Sequence, residues 1–376
     1  MKFLKYFIPF LLPVSMLIIS CTKEKVQTNY KPIPTPPPTP PTPIARNIID
    51  VQLLQVGNLT EERSNVAIAF AGNKILVAGG TLFLSSLYSS RVDIFDITTN
   101  LWTTAELSQA RTGIATAVLG KKIYFAGGET GLHKHTGRVD IYDAETNRWT
   151  IADLDNVKAL MTGASAGNKV VFASGETAHI YDALYNAWST APLSDRIGSW
   201  GPSVYGIAAT AIDKTIYFAG GIDDFEIHKA IDIYNTETET WSKSSLNEYK
   251  GGVAGIASGN TIFWAGGQNW NGREMVLLNK VEIRDMNSGS VTIGSLFQGN
   301  AFFSAIQKKE NLIFFTGLGT EKNKFDIYDL NTKTWSIGLM PKHIENAAII
   351  SVNDTIYVAG GNVDASLSSQ VWKLSF

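Results

Sequence analysis

Seven times along this chain a short apolar run ends in a pair of small residues: Gly79-Gly80, Gly127-Gly128, Ser174-Gly175, Gly220-Gly221, Gly266-Gly267, Thr316-Gly317 and Gly360-Gly361. Between the second members the spacings are 48, 47, 46, 46, 50 and 44 residues. A period of that size marks one supersecondary unit copied along the chain, which buries its faces only against its neighbours. Length is the weaker guide, since 376 residues would equally suit two average domains.

Each copy carries the same punctuation. In the second, Gly113 to Leu119 is an apolar run, Gly120-Lys121-Lys122 a turn, and Ile123 to Ala126 a strand leading into the glycines. Arg138 to Asp143 then form a third strand, and Trp149 opens a fourth. Short β-rich runs divided by turn residues read as four antiparallel strands. The third turn is the most regular: Asp96, Asp143, Asp182, Asn235 and Asp329 each precede a tryptophan by six residues, at Trp102, Trp149, Trp188, Trp241 and Trp335. Asp285 with Val291 is the divergent copy. Asn100, Asn147, Asn186 and Gly289 stand where a hairpin needs positive φ.

A four-stranded sheet has two faces to bury, and stacking copies around an axis buries both. The recurrent tryptophans then belong to the core between blades, where aromatic area contributes most. The diglycines, strand tyrosines and tryptophans, with Arg63 and Arg111 ahead of the first strands of their units, resemble the kelch family over about 320 residues. Another propeller family of similar period, WD40, would show Gly-His and Trp-Asp signatures that are absent. The resemblance implies an all-β, seven-bladed kelch-type β-propeller with four antiparallel strands per blade, over residues 46–376.

The last unit has only Gln370 to Leu374 after its glycines, one strand short. Leu53 to Arg63 aligns with Leu101 to Arg111, so residues 48 to 58 are expected to close the ring by pairing with the C-terminal blade.

The first residues read as an export signal. Lys2 and Lys5 precede an apolar stretch from Phe7 to Ile19, broken by Pro9 and Pro13. Ile18-Ile19-Ser20-Cys21 resembles a bacterial lipobox, which implies removal of residues 1–20 and a lipid anchor at Cys21, the chain's one cysteine. The following Thr22-Lys23-Glu24-Lys25 resembles an export tag of Bacteroidetes lipoproteins. An outer-membrane lipoprotein displayed at the cell surface is expected, with a periplasm-facing anchor as the alternative. Residues 21–45 form a tether. Eight prolines between Lys31 and Pro43 make it an extended rod of roughly 40 Å.

On one side of such a ring the turns are tight, as at Gly72-Asn73-Lys74. The long segments 81–90, 129–137, 194–205, 222–230 and 268–280 share the other side, where a rigid scaffold carries function. Tyr88, His133, His135, Trp200, Tyr205, Phe225, His228, Tyr249, Trp270 and Arg273 are the candidates there, since an exposed aromatic can stack on a sugar or anchor a protein partner. Arg63, Arg111, Lys158, Lys250 and His343 each lie four residues after a leucine and are expected to ring the mouth. By the kelch resemblance such arginines can bind acidic ligands, whereas hydrogen bonding to blade carbonyls is the structural alternative.

The balance of 32 basic against 34 acidic residues argues against nucleic acid as a partner. With Cys21 spent on lipid, no disulfide, thiolate metal site or cysteine nucleophile remains, and no cofactor or metal is expected. Galactose oxidase, a seven-bladed kelch enzyme, needs a cysteine joined to tyrosine, so its activity does not carry over. Gly163-Ala164-Ser165-Ala166-Gly167 spells a nucleophile elbow but falls within a first strand.

The expected function is a monomeric envelope module that binds a glycan or protein through the loop-bearing face. A sugar-modifying, epimerase-like enzyme with its site at the channel mouth, and a passive scaffold, are the alternatives.

Overall fold

A computed structural model describes residues 46–82, 87–132, 134–157, 160–194, 204–223, 226–315 and 317–376. The readings of residues 1–20, of Cys21 and of the proline-rich tether lie outside that set. Arg46–Phe376 form one compact unit.

Seven sheets carry the architecture, each with four antiparallel strands, and a fifth strand joins one of them. The first sheet comprises Ala67–Ala71, Lys74–Ala78, Arg91–Asp96 and Leu101–Glu106. Local chemistry fixes its last hairpin. The Asp96 carboxylate accepts the amides of Thr98 and Thr99 at 2.9 and 3.1 Å, and Asn100 follows at φ 58°. Such a side-chain turn sets the register. Phe95 thereby faces Trp102, with ring centroids 4.8 Å apart. Asp143, Asn235 and Asp329 repeat the turn, and so does Asp285, although Val291 has replaced the aromatic.

The core is divided among the joints between sheets. One buried cluster sets Leu76, Val92 and Ile94 of the first sheet against Ile123, Phe125 and Tyr142 of the second. Another sets Ile75 and Phe95 against Tyr357 and Val371 of the last. First strands of consecutive sheets touch in the same cyclic order, Ala67–Ala71 meeting Ala348–Val352 where the series returns to its start. The arrangement is that of a β-propeller. Trp102, Trp149, Trp188, Trp241 and Trp335 are half-buried and pack on the edges of these clusters.

The diglycines belong to this geometry. Gly79 and Gly80 have φ of 63° and 104°, and Gly80 N–H donates to the Arg111 carbonyl of the next unit at 3.0 Å. A Cβ at Gly79 would stand 2.5 Å from that same oxygen. The pair is therefore a joint between neighbours as well as a turn.

The N-terminal segment serves two sheets where one was expected. Gln52–Asn58 pairs antiparallel with Gln370–Ser375, supplying the fourth strand of the last sheet. Asn47–Asp50 instead runs parallel to Trp335–Leu339 of the sixth sheet. Buried Val51 marks the crossing, its amide donating to Leu339 O at 2.9 Å. The clasp is completed by Arg46, which pairs with buried Asp326 and lies 5.4 Å from the Trp335 ring centre.

Candidate functional site

Three of the basic residues expected to ring the mouth, Arg63, Arg111 and Lys250, turn inward instead. Arg63 and Arg111 have no exposed surface. Arg63 donates to Gly79 O at 2.8 Å and Arg91 O at 2.6 Å, and pairs with Asp93. Arg111 donates to Phe125 O at 3.0 Å and pairs with Asp140 at 2.7 Å. Lys250 donates to Gly266 O and Lys280 O, both at 3.0 Å. The expectation that these three line the mouth for an acidic ligand is corrected. Carbonyls at the strand ends keep a second lone pair after the sheet bond is made, as Arg91 O does after accepting Gly79 N–H and Lys280 O after accepting Gly266 N–H, and a long cationic side chain reaches it.

Each carboxylate in these pairs has a second task. Asp93 accepts the Thr60 amide at 2.9 Å, and Asp140 accepts the Ser108 amide at 2.8 Å. The third-strand acid therefore ties the segment entering its blade to the cation beneath the mouth. Asp232, Glu282 and Asp326 make the same backbone contact in their sheets.

Backbone geometry also corrects the phase. Arg111 donates its amide to Ser89 O, and the equivalent bonds are Lys250 to His228 O, Asn300 to Leu278 O and Ile344 to Lys322 O. Asn300 and Ile344 thus occupy the cation position, and His343 lies one residue off, exposed. The leucine taken as its landmark, Leu339, is displaced because Met340 fills that place, donating to Asn323 O as Leu107 does to Ser90 O. Asn300 does the cation's work with an amide, donating to Phe315 O at 3.0 Å.

Burial pushes the Lys250 ammonium down from 10.5 to about 8, against the pull of Glu248 and Glu282. Between those values the unfolded chain holds more protons than the native one, so this residue makes stability rise with pH. Relative to Lys250→Met, the wild-type chain should gain on the order of 3 kcal/mol between pH 8 and 10.5, with the gap constant below pH 8. Denaturant unfolding of both proteins across that range checks it, and parallel profiles would contradict the assignment.

Above the buried cations lies a ring of backbone in the left-handed region. Asn65, Gly113, Gly206, Gly252, Phe302 and Asn346 hold equivalent positions, with φ between 51° and 65°. Amides link some of them across blades, Asn65 to Asn346 O at 2.9 Å, Gly252 to Gly206 O at 2.9 Å and Phe302 to Gly252 O at 2.8 Å. Asparagine and glycine suit this conformation, whereas a phenylalanine there is strained by on the order of 1–3 kcal/mol. Phe302 is nevertheless 43% exposed. Its ring lies over Gly206 and Gly252, where an added Cβ would come within 2.9 and 2.7 Å of it. Tyr205 stacks against it, centroids 6.2 Å apart and planes at 23°.

Four of these positions, Asn65, Gly113, Phe302 and Asn346, line a cavity of about 400 Å³. Asn65, Asn346, Thr116 and Ser304 supply its polar walls, Phe302, Phe303 and Ile349 its apolar ones. Phe302, Asn65 and Asn346 were not among the sequence candidates. One signal was available, the Asn or Gly found two residues after Arg63, Arg111, Lys250 and Ile344, a preference that Phe302 breaks.

Farther out, Gln268–Trp270 and Met275–Leu277 form a hairpin, as the shorter Asn362–Val363 and Ser366–Leu367 do in the last unit. Trp270 faces Met275 and is 56% exposed; Arg273 is exposed at the tip. Tyr249, 50% exposed, takes Lys229 over its ring at 5.2 Å. His228 is buried, its Nε2 3.5 Å from Asp223. Tyr88 bridges Thr81, and His135 stands 3.7 Å from Glu129. Lys158, Trp200, His133 and Phe225 lie outside the described residues. Ser165 lies within the strand Thr162–Ala166 and donates to Val118 O, which is no nucleophile elbow. Among the described residues no three His, Cys, Asp or Glu converge to hold a metal.

Two consecutive segments, residues 62–106 and 110–152, match the Kelch motif. They coincide with the first two sheets and the Arg63 and Arg111 segments that lead into them. No curated protein matches the chain.

Proposed function

We propose that this kelch-repeat protein is a non-catalytic binding module that captures a protein or glycan ligand through its loop-bearing face. The observation that carries the reading is a division of labour around the axis. Basic groups that would attract or activate a substrate are consumed by carbonyls and carboxylates below the mouth. The side chains left open on that face include three aromatics, Trp270, Tyr249 and Phe302, the type that supplies contact area at little entropic cost, beside the exposed Arg273. Kelch repeats generally mediate protein–protein interaction, which supports the same class of role. Anchorage at the cell envelope through Cys21 is part of the proposal and rests on the lipobox resemblance.

The test presents the full chain to arrays of envelope proteins and glycans. Trp270→Ala combined with Tyr249→Ala should weaken the ligand found at least tenfold without changing the melting temperature. Unchanged binding by that variant would remove the assigned face.

One observation favours a second reading, a sugar-modifying enzyme: Asp223 and His228 form a carboxylate–imidazole pair beside the mouth. Both are enclosed, so catalysis requires that segment to open. Product formation from candidate sugars, lost in Asp223→Asn, would replace the binding reading with this one.

A further inference from the structure

We infer that the channel mouth is a binding site for a single neutral pyranose, stacked on Phe302 and held at its edge by Asn65 and Asn346. This rests on the reading of the loop-bearing face as a ligand surface and adds the ligand's chemistry and seat.

Three observations converge on it. A bulky aromatic is held in a left-handed backbone conformation without being buried, an arrangement that persists where function requires it. Its ring is supported from below by two glycines, where any side chain would displace it. Across the cavity stand two exposed asparagines from the first and last sheets, each offering both a donor and an acceptor.

The charge of the site selects the ligand. Among the described residues no charged side chain lines the cavity. Arg63 and Arg111, two residues before Asn65 and Gly113, are committed to carbonyls, and Lys322, which reaches Gly317 O at 2.7 Å, is paired with Glu345. A carboxylated sugar or a nucleotide would therefore lose the hydration of its anion with no partner to replace it. A neutral sugar asks for what is present. The ring carbons of one face carry outward C–H groups that suit the electron-rich face of an aromatic, and the hydroxyls around its edge pair with amides. The cavity volume of about 400 Å³ falls within the span of small-molecule pockets, roughly 300–1,000 Å³.

The experiment titrates the full chain with glucose, galactose, mannose and N-acetylglucosamine, using calorimetry and saturation-transfer NMR. Glucuronic and N-acetylneuraminic acids serve as charged counterparts. At least one neutral sugar should bind tenfold or more tightly than the charged ones. Methyl glycosides, which imitate a chain end, tell a glycan terminus from a free sugar: equal affinity points to the terminus, loss of affinity to the free sugar.

Phe302→Leu keeps an apolar side chain over the glycines and removes the aromatic face. It should weaken binding at least tenfold with an unchanged melting temperature, and Asn65→Ala or Asn346→Ala should weaken it severalfold. Absence of binding by every neutral sugar, or affinity indifferent to Phe302→Leu, would overturn the inference. If a protein ligand still binds and is lost in the Trp270, Tyr249 double variant, the sugar site falls while the binding-module reading stands. Capture of a peptide at the mouth, blocked by Phe302→Leu without any sugar response, would also overturn it.

Discussion

Arg111→Met is expected to destabilise the protein by about 3–5 kcal/mol, the usual consequence of leaving one member of a buried ion pair alone. Asp140 is buried, and its pairing with Arg111 at 2.7 Å is what offsets its desolvation. The same substitution removes a donor from the Phe125 carbonyl. Adding Asp140→Asn should restore at least half of the loss, because the amide oxygen still accepts the Ser108 amide while the charge is gone. Denaturant unfolding of the two single variants and the double measures the coupling. A loss below about 1 kcal/mol for Arg111→Met would mean the guanidinium is not structural and would return it to the list of ligand-binding groups.

Deletion of residues 46–58 within the full chain should abolish the cooperative unfolding transition. Removing this segment exposes the backbone edges of Gln370–Ser375 and of Trp335–Leu339 together, and leaves Asp326 without Arg46. Unpaired edges recruit other chains. The combined loss exceeds the 5–15 kcal/mol margin typical of a folded domain. The expected product is an aggregating or molten species, visible as a broad, shallow transition and as multimers in light scattering. A monomeric deletion variant with a sharp transition near that of the wild type would show that the clasp is dispensable.

Binding and folding are separable in this molecule because they use different layers of the same units. The layer beneath the mouth joins each blade to its entering segment through cation, carbonyl and carboxylate. The layer above it is mostly backbone, held by Asn or Gly at its left-handed positions except at Phe302. Substitutions at Arg63 or Arg111 should act on stability, and those at Phe302, Asn65 or Trp270 on ligand.

Much of the cation layer was legible before any coordinates. Arg63 precedes Asp93 by 30 residues, Arg111 precedes Asp140 by 29 and Lys250 precedes Glu282 by 32. Where the cation position becomes Ile344, the acid position becomes Trp372. Both partners are apolar there, whereas opposite Asn300 the acid Asp326 is kept and takes its cation from Arg46. The cations taken without their acids leave two orientations open, toward an acidic ligand or toward blade carbonyls, and the structure realises the second.

The number of units, their four strands and their hairpin turns follow from the sequence by itself. Those features depend on contacts a few residues apart, repeated often enough that a single divergent copy such as Val291 leaves the pattern intact. Tertiary structure alone decided which way Arg63 and Arg111 point, how Asn47–Asp50 and Gln52–Asn58 divide between two sheets, and that Phe302 lies across the glycines of two other blades. The reason is physical: a long side chain or an edge strand takes its direction from partners brought near only when the blades assemble around their axis.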